Sequence, residues 1–324
     1  MYLTRKVKVF LKSREIIDNW LPSALEYMKG KEKIKIKVSG KEFVVSRWFY
    51  SDIVNMFYDK EVQGLSIKDG RIIIKTNAQE VKVNNEILHE GFGLLYSFIK
   101  RGWKYEDGII EKNDGSVKFN YISYSVLEVF EENVYGNINV LNKEVIDIGA
   151  NVGDSSIYFA LKGARKVVGV EPLPNVYARA IENVKLNHLE GKIFLINAAI
   201  GSKRGKLKVP CNTSTFTSNG FSTLKSNGDC EVPIVTLTEV MKQITEPYLL
   251  KMDCEGCEFD VILNDYEHVK MFEKLTIEHH AKFTGIEYTK LIDKLSKDFH
   301  CELTSLVPWA SKEEQGLLWC DKIK

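Results

Sequence analysis

Nowhere in its 324 residues does the chain hold an apolar run approaching the roughly 20 residues of a membrane-spanning helix. Behind Met1-Tyr2-Leu3 it turns at once to charged residues, so no secretory leader is expected. It has no excess of either charge: 45 lysines and arginines face 44 aspartates and glutamates, and no chain-wide positive field argues for nucleic acid. Cysteine is scarce and unpatterned. Cys211, Cys230, Cys254, Cys257, Cys301 and Cys320 show no disulfide-scaffold spacing, and a chain of this size needs no such staples, so reduced thiols in a cytoplasmic setting are expected. The G-x-G-x-x-G loop of dinucleotide-binding folds is missing too, which disfavours a nicotinamide-dependent dehydrogenase.

What is present is globular. Hydrophobic residues make up 44% and charged residues 27%, and the length accommodates two domains. Residues 1–50 are locally basic, a pattern that reads first as a solvated face. Residues 1–120 read as a small α+β region. Helices are expected over Arg14 to Lys29, Trp48 to Tyr58 and Leu88 to Ile99, with a hairpin of Lys33 to Val38 and Glu42 to Val45 turning at Ser39-Gly40. Further strands are expected at Arg71 to Lys75 and Glu80 to Val83, and Trp103 to Ile110 should pair with Val117 to Asn120 across Asn113-Asp114-Gly115. No chemical motif falls there, and the region is expected to cap a substrate cleft. A helix over Ser123 to Asn133 follows, with Tyr121, Tyr124 and Tyr135 as packing residues.

In residues 121–324 the rhythm changes to strand-helix alternation, the pattern of a parallel α/β sheet. Strands are expected at Val145 to Ile148, Lys166 to Glu171, Lys192 to Ala198, Tyr248 to Asp253 and Leu275 to His279, with a closing hairpin of Cys301 to Val307 and Leu317 to Asp321. That makes seven strands, the last antiparallel. Lys206 to Pro233 interrupts the alternation as a loop or small hairpin, with Phe216 and Phe221 as its anchors.

Five positions carry chemistry. VIDIGANVGD (145–154) is a strand, a glycine turn and a helix start, and it places Asp147, Gly149, Asn151, Gly153 and Asp154 where a nucleotide-like ligand can approach backbone. Glu171, in GVEPLPN, closes the next strand about twenty residues on, where a carboxylate can accept both ribose hydroxyls. Asn197, in INAAIG, sits where base contacts would lie. KMDCEGCE (251–258) puts Asp253 at a strand end and Glu255 on the turn that Gly256 permits. Its Cys254-x-x-Cys257 lacks the partner pair of a zinc site and reads as small buried thiols. Finally Glu278, His279 and His280 emerge on the same rim as Asp253. Two mechanisms fit this rim. A histidine oriented by a carboxylate could act as general base on a hydroxyl, the preferred reading. Alternatively Asp253 and Glu278 with His280 could hold a divalent cation.

VIDIGANVGDSS, VEPLPN, the VTL at 235–237, LKMDCEGCE and IEHH together resemble the FkbM-type family of methyltransferases, from about Ser123 to Val307. The resemblance implies a Rossmann-like class I methyltransferase sheet, S-adenosylmethionine as donor and O-methylation of a sugar or polyketide hydroxyl. It implies that Asp147, Gly149, Asn151 and Gly153 bind the donor and Glu171 its ribose. Asp253, Glu255 and Glu278 fall on the family's acidic positions. No Asn-Pro-Pro-aromatic motif follows the fourth strand, which argues against methylation of an exocyclic amine. The expectation is therefore an O-methyltransferase for a glycan or similar small molecule. An RNA methyltransferase anchored by the basic N-terminal region, or a non-catalytic nucleotide-binding module, is the alternative.

Overall fold

The computed structural model describes residues 4–212, 228–305 and 311–323; Phe216 and Phe221 lie outside them. The chain forms two compact units, Met1–Tyr124 and Ser125–Lys324. Among the described residues no helix is long and apolar enough to cross a membrane.

In the first unit the alternating KIKIKV of Lys33–Val38 buries Ile34, Ile36 and Val38 on one face. It pairs with Lys41–Ser46 through a turn whose Ser39 and Gly40 both have positive φ, the conformation that suits a two-residue hairpin. Ser46 then caps the helix Arg47–Tyr58 by accepting the Phe49 N–H. Two sheets of three strands complete the unit, Val62–Lys68 with Arg71–Thr76 and Glu80–Lys82, and Lys104–Glu106 with Ile109–Glu111 and Lys118–Phe119.

Several boundaries differ from expectation. In place of one helix from Arg14 there are two, Arg5–Ser13 and Trp20–Met28. The helix expected over Leu88 to Ile99 is two helices, Asn85–Glu90 and Gly93–Lys100. The break is at Gly91, where φ is +116 and an added Cβ would lie 2.9 Å from Asp52 Oδ2. That carboxylate accepts the Phe92 and Gly93 N–H groups and so restarts the chain as a helix. The strand expected over Trp103 to Ile110 folds back on itself at Asp107-Gly108, both at positive φ.

The second unit is built on seven strands: β1 (Glu144–Ile148), β2 (Lys166–Val170), β3 (Ile193–Ile196), β4 (Leu249–Met252), β5 (Lys274–His279), β6 (Phe299–Ser305) and β7 (Gly316–Lys322). Their order in the sheet is β3-β2-β1-β4-β5-β7-β6. The first five are parallel, and β7 runs antiparallel to both neighbours. Helices α1 (Asp154–Leu161), α2 (Pro174–Leu186), α3 (Cys257–Asn264) and α4 (Thr289–Leu295) occupy the crossovers. Every residue of β1 and β4 is buried, as parallel strands covered on both faces require. Ile146, Ile148, Val168, Leu250, Met252, Phe259 and Ile277 share one core, each such side chain worth about 1.5–3 kcal/mol on burial. The insertion is a hairpin, Gly205–Val209 with Cys230–Val235.

The cysteines correct the reduced-thiol expectation: Cys211–Cys230, Cys254–Cys257 and Cys301–Cys320 are disulfides. Cys301 and Cys320 are register partners of β6 and β7, and Cys211 follows the strand that pairs with Cys230's own. Antiparallel pairing brings each of these two pairs together from 19 residues apart, a proximity that spacing along the chain does not reveal.

Candidate functional site

Because β1, β2, β4 and β5 are parallel, their carboxyl ends open on one edge, the place where open α/β sheets bind ligands. The turn after β1 passes through three positive-φ residues, Gly149, Asn151 and Gly153. At Gly149 a Cβ would stand 1.7 Å from the Asp253 carbonyl oxygen, so glycine is demanded first by the neighbouring β4 loop. The Asn151 N–H donates to Glu171 Oε2 at 3.0 Å and the Leu173 N–H to Oε1 at 2.8 Å. Glu171 thereby ties the glycine turn to the end of β2. Burial raises its carboxyl to about 7 against the lowering effect of those two N–H donors. Asn197 Nδ2 donates to the carbonyls of Glu171 and Pro172 at 2.9 and 3.2 Å, which steadies the loop that carries Glu171.

An open cleft lies here, lined by Gly149, Glu171, Leu173, Ala198, Asp253 and Glu255 among others. Asp147, Asn151, Gly153, Asp154 and Asn197 do not line it. Asp147 is fully buried, 3.0 Å from Lys251 Nζ, and accepts the Ser155 and Ser156 hydroxyls at 2.7 and 2.6 Å. It thus anchors the first turn of α1. Lys251 also donates to the Gly149 carbonyl at 2.7 Å, which supports the glycine turn from behind. Burial would lower the Lys251 ammonium, but Asp147 outweighs it and holds the group charged. Asp154, buried at the start of α1, has its carboxyl raised to about 7 by burial, against Lys251.

The second half of the site is a cluster around one imidazole. His280 Nε2 faces Glu255 Oε2 at 3.4 Å, Glu278 Oε1 at 3.6 Å and Asp253 Oδ1 at 3.8 Å. Its Nδ1 lies 3.2 Å from Glu258 Oε1, which also accepts the His280 backbone N–H at 2.8 Å. The other Glu258 oxygen accepts the Gly256 N–H at 2.9 Å, so one fully buried carboxylate joins the β4 and β5 loops. Burial would lower His280, but the charges of Glu258, Glu255 and Glu278 prevail and raise it to about 10. The imidazole is therefore protonated at neutral pH. Glu278 is raised to about 8, by burial and then by Asp253, while Gln315 Nε2 donates to its Oε1 at 2.7 Å. Glu128, on the helix Tyr124–Phe130, is also raised to about 8, by burial, Asp253 and Asp154.

His279 points elsewhere. Its Nε2 meets the Lys312 carbonyl at 2.9 Å and its ring stacks on Tyr288. Burial lowers its pKa. Cys254 and Cys257 close the loop between Asp253 and α3 as a disulfide. Lys251 and Glu258 bound the KMDCEGCE motif but carry no role in a motif reading, and Gln315 lies outside every motif. Lys251 did leave a signal, a charge inside the apolar strand LLKM, which must find a buried partner.

Residues 147–300 match the model of the methyltransferase FkbM domain. The chain is 22% identical over 147 residues to the hexuronic acid methyltransferase AglP of Haloferax volcanii, covering 45% of this chain and 59% of that protein. A Methanocaldococcus jannaschii protein named as a protein N5-glutamine methyltransferase is 44% identical over 57 residues, 18% of this chain and 29% of that one. The chain thus spans less than two thirds of either relative. Among solved structures, methyltransferase FkbM of Methylobacillus flagellatus KT aligns at a TM-score of 0.41 with 15% identity, over 60% of this chain and 47% of that one. TrmK of M. capricolum, solved with S-adenosyl-homocysteine, aligns at 0.37 with 14% identity, over 62% and 69%. Residues 147–300 form a domain of the FkbM methyltransferase family.

Proposed function

We propose that the chain is an S-adenosylmethionine-dependent O-methyltransferase that acts on a hydroxyl of a sugar or glycan-like small molecule. The observation that carries this reading is one continuous cleft wall running from Glu171 through Gly149 to Asp253 and Glu255. Each Glu171 oxygen accepts one N–H and keeps a lone pair for a ribose hydroxyl, so the residues fit the donor. When bound, S-adenosylmethionine would supply an electrophilic methyl group.

The protein's own task is to position, to desolvate and to take a proton. Glu171 would hold the nucleoside end, while Asn197 and the glycine turn keep that carboxylate aimed. Asp253, a third exposed and lining the cleft, is the carboxylate that an acceptor hydroxyl meets first, and its oxygen can accept the hydroxyl proton. The likeness to a hexuronic acid methyltransferase supports a sugar acceptor.

Calorimetric titration of S-adenosylhomocysteine into the full chain tests the donor site. Wild-type protein should bind, and Glu171→Ala should weaken binding at least about tenfold, as loss of hydrogen bonds to a charged acceptor implies. Absence of binding to folded wild-type protein would refute the donor site. Turnover should then be assayed with uronic and neutral glycosides at rising salt, where sugar methylation should hold steady while phosphate-driven binding collapses.

A further inference from the structure

We propose that Asp253, Glu278 and His280, with Glu255 beside them, bind a divalent first-row cation such as Mn²⁺ at the acceptor end of the cleft. The proposal deepens the O-methyltransferase reading and rests on it for its chemistry.

Geometry is the first support. One nitrogen and two oxygens of Asp253, Glu278 and His280 all lie within 4.8 Å of one another. His280 Nε2 is 3.4 to 3.8 Å from three carboxylate oxygens. Metal bonds of about 2.1 Å set tetrahedral donors about 3.4 Å apart, so modest side-chain rotations close these atoms on one ion.

The second support is independent of the acidic residues. The His280 side chain is 1% exposed, and its Nε2 makes no hydrogen bond among the described residues. Its Nδ1 is directed at the fully buried Glu258. A carboxylate behind the far nitrogen is how proteins fix the tautomer of a ligating histidine, so that the near nitrogen can coordinate once a metal displaces its proton. Gln315 donates to Glu278 Oε1, the oxygen that faces His280 Nε2, and so fixes that carboxylate in the cluster. With no ion bound, a proton on the imidazole balances these carboxylates, and a divalent cation would displace it.

Charge and access agree. Lys251 lies 3.0 Å from Asp147 but 4.0 Å from Asp253, so its charge is committed behind the loop. Asp253 opens onto the cleft, which gives an ion an entry path. Mixed carboxylate and imidazole donors suit Mn²⁺, Fe²⁺ or Zn²⁺ better than Mg²⁺ or Ca²⁺. A cation there would acidify a bound sugar hydroxyl and remove the need for a neutral imidazole base.

The test is titration of Mn²⁺ into the full chain with its disulfides intact, following the electron-paramagnetic resonance of free Mn²⁺. Mn²⁺ is the probe because it prefers oxygen donors and avoids any thiolates of Cys254 and Cys257. One equivalent should bind, and Asp253→Asn and Glu278→Gln should each weaken it by about tenfold or more, the range that ligand-shell changes produce. S-adenosylhomocysteine titrations on the same samples report folding and the donor site. Failure of wild-type protein to bind Mn²⁺, or unchanged binding in both variants, overturns the proposal. If Mn²⁺ fails while S-adenosylmethionine binds far more tightly than S-adenosylhomocysteine, the cluster serves the donor's own positive charge. The cation site is then refuted and the donor reading stands. Mn²⁺ binding without S-adenosylhomocysteine binding would uphold the cation site and refute the donor reading.

Discussion

Replacing Lys251 with methionine should unmask the buried charge pair beneath the glycine turn. Its ammonium lies 3.0 Å from Asp147 Oδ1, with the two side chains 3% and 0% exposed. At an effective dielectric of about 20, charges at that distance attract by about 5–6 kcal/mol, most of which offsets the cost of dehydrating both groups. The intact pair therefore adds little net stability, but breaking it leaves the Asp147 carboxyl buried without its counter-charge. Loss of one partner of such a pair costs about 3–5 kcal/mol. Ser155 and Ser156 still donate to Asp147, which places the expectation near the lower end. Native-state hydrogen exchange of the β1 and β4 amides is the suitable assay, because it reads the second unit by itself. Lys251→Met should lower their opening free energy by about 3 kcal/mol, and Lys251→Met/Asp147→Asn should recover at least half of it by removing the buried charge. A loss below about 1 kcal/mol in the single variant, or a double variant equal to the sum of the singles, would refute the reasoning.

Gly149→Ala must push its Cβ against the Asp253 carbonyl at 1.7 Å from a φ of +77, so the β4 loop has to move. Thermal melting should drop by several degrees and S-adenosylhomocysteine affinity by about tenfold, through backbone strain of about 1–3 kcal/mol. Wild-type values for both would show that the close approach is not real. Stability should also depend on pH through Glu171 and Asp154. Both carboxyls are raised to about 7 in the fold from their ordinary values of 4.5 and 3.8, so the folded state holds protons more tightly than the unfolded one. Their contribution is fully present below those unfolded values and is lost as pH rises to about 7. For Glu171 that is about 3 kcal/mol at about 1.4 kcal/mol per unit. The melting temperature of ligand-free protein should fall across this window, with a shallower slope in Glu171→Gln. A rise in wild type, or an unchanged slope in the variant, would contradict the assignment.

How much of this was legible in the residues differs by scale. Hydrophobic runs ending in Gly149, Glu171, Asp253 and His279 mark the strands and their order along the chain, because burial on both faces leaves a local signature. The helix break at Gly91 has no local signature strong enough to mark it, since the tertiary contact of Asp52 with Phe92 and Gly93 selects it, whereas the turn at Asp107-Gly108 carries the local Asp-Gly signal of a hairpin. Two adjacent histidines looked equivalent. His279 ends β5 and meets the Lys312 carbonyl, whereas His280 lies one residue past the strand, at the start of the next helix, and meets the carboxylates.

By itself the sequence determined an alternating α/β unit with a glycine turn and acidic residues at its strand ends, since periodicity and turn chemistry are local properties. Only the tertiary structure decided which acids line the cleft and which, like Asp147 and Glu258, are buried struts. It alone paired the cysteines and aimed one imidazole at three carboxylates. Strand pairing brings together residues far apart in the chain, and distance along a sequence carries no record of which distant partner a strand will choose.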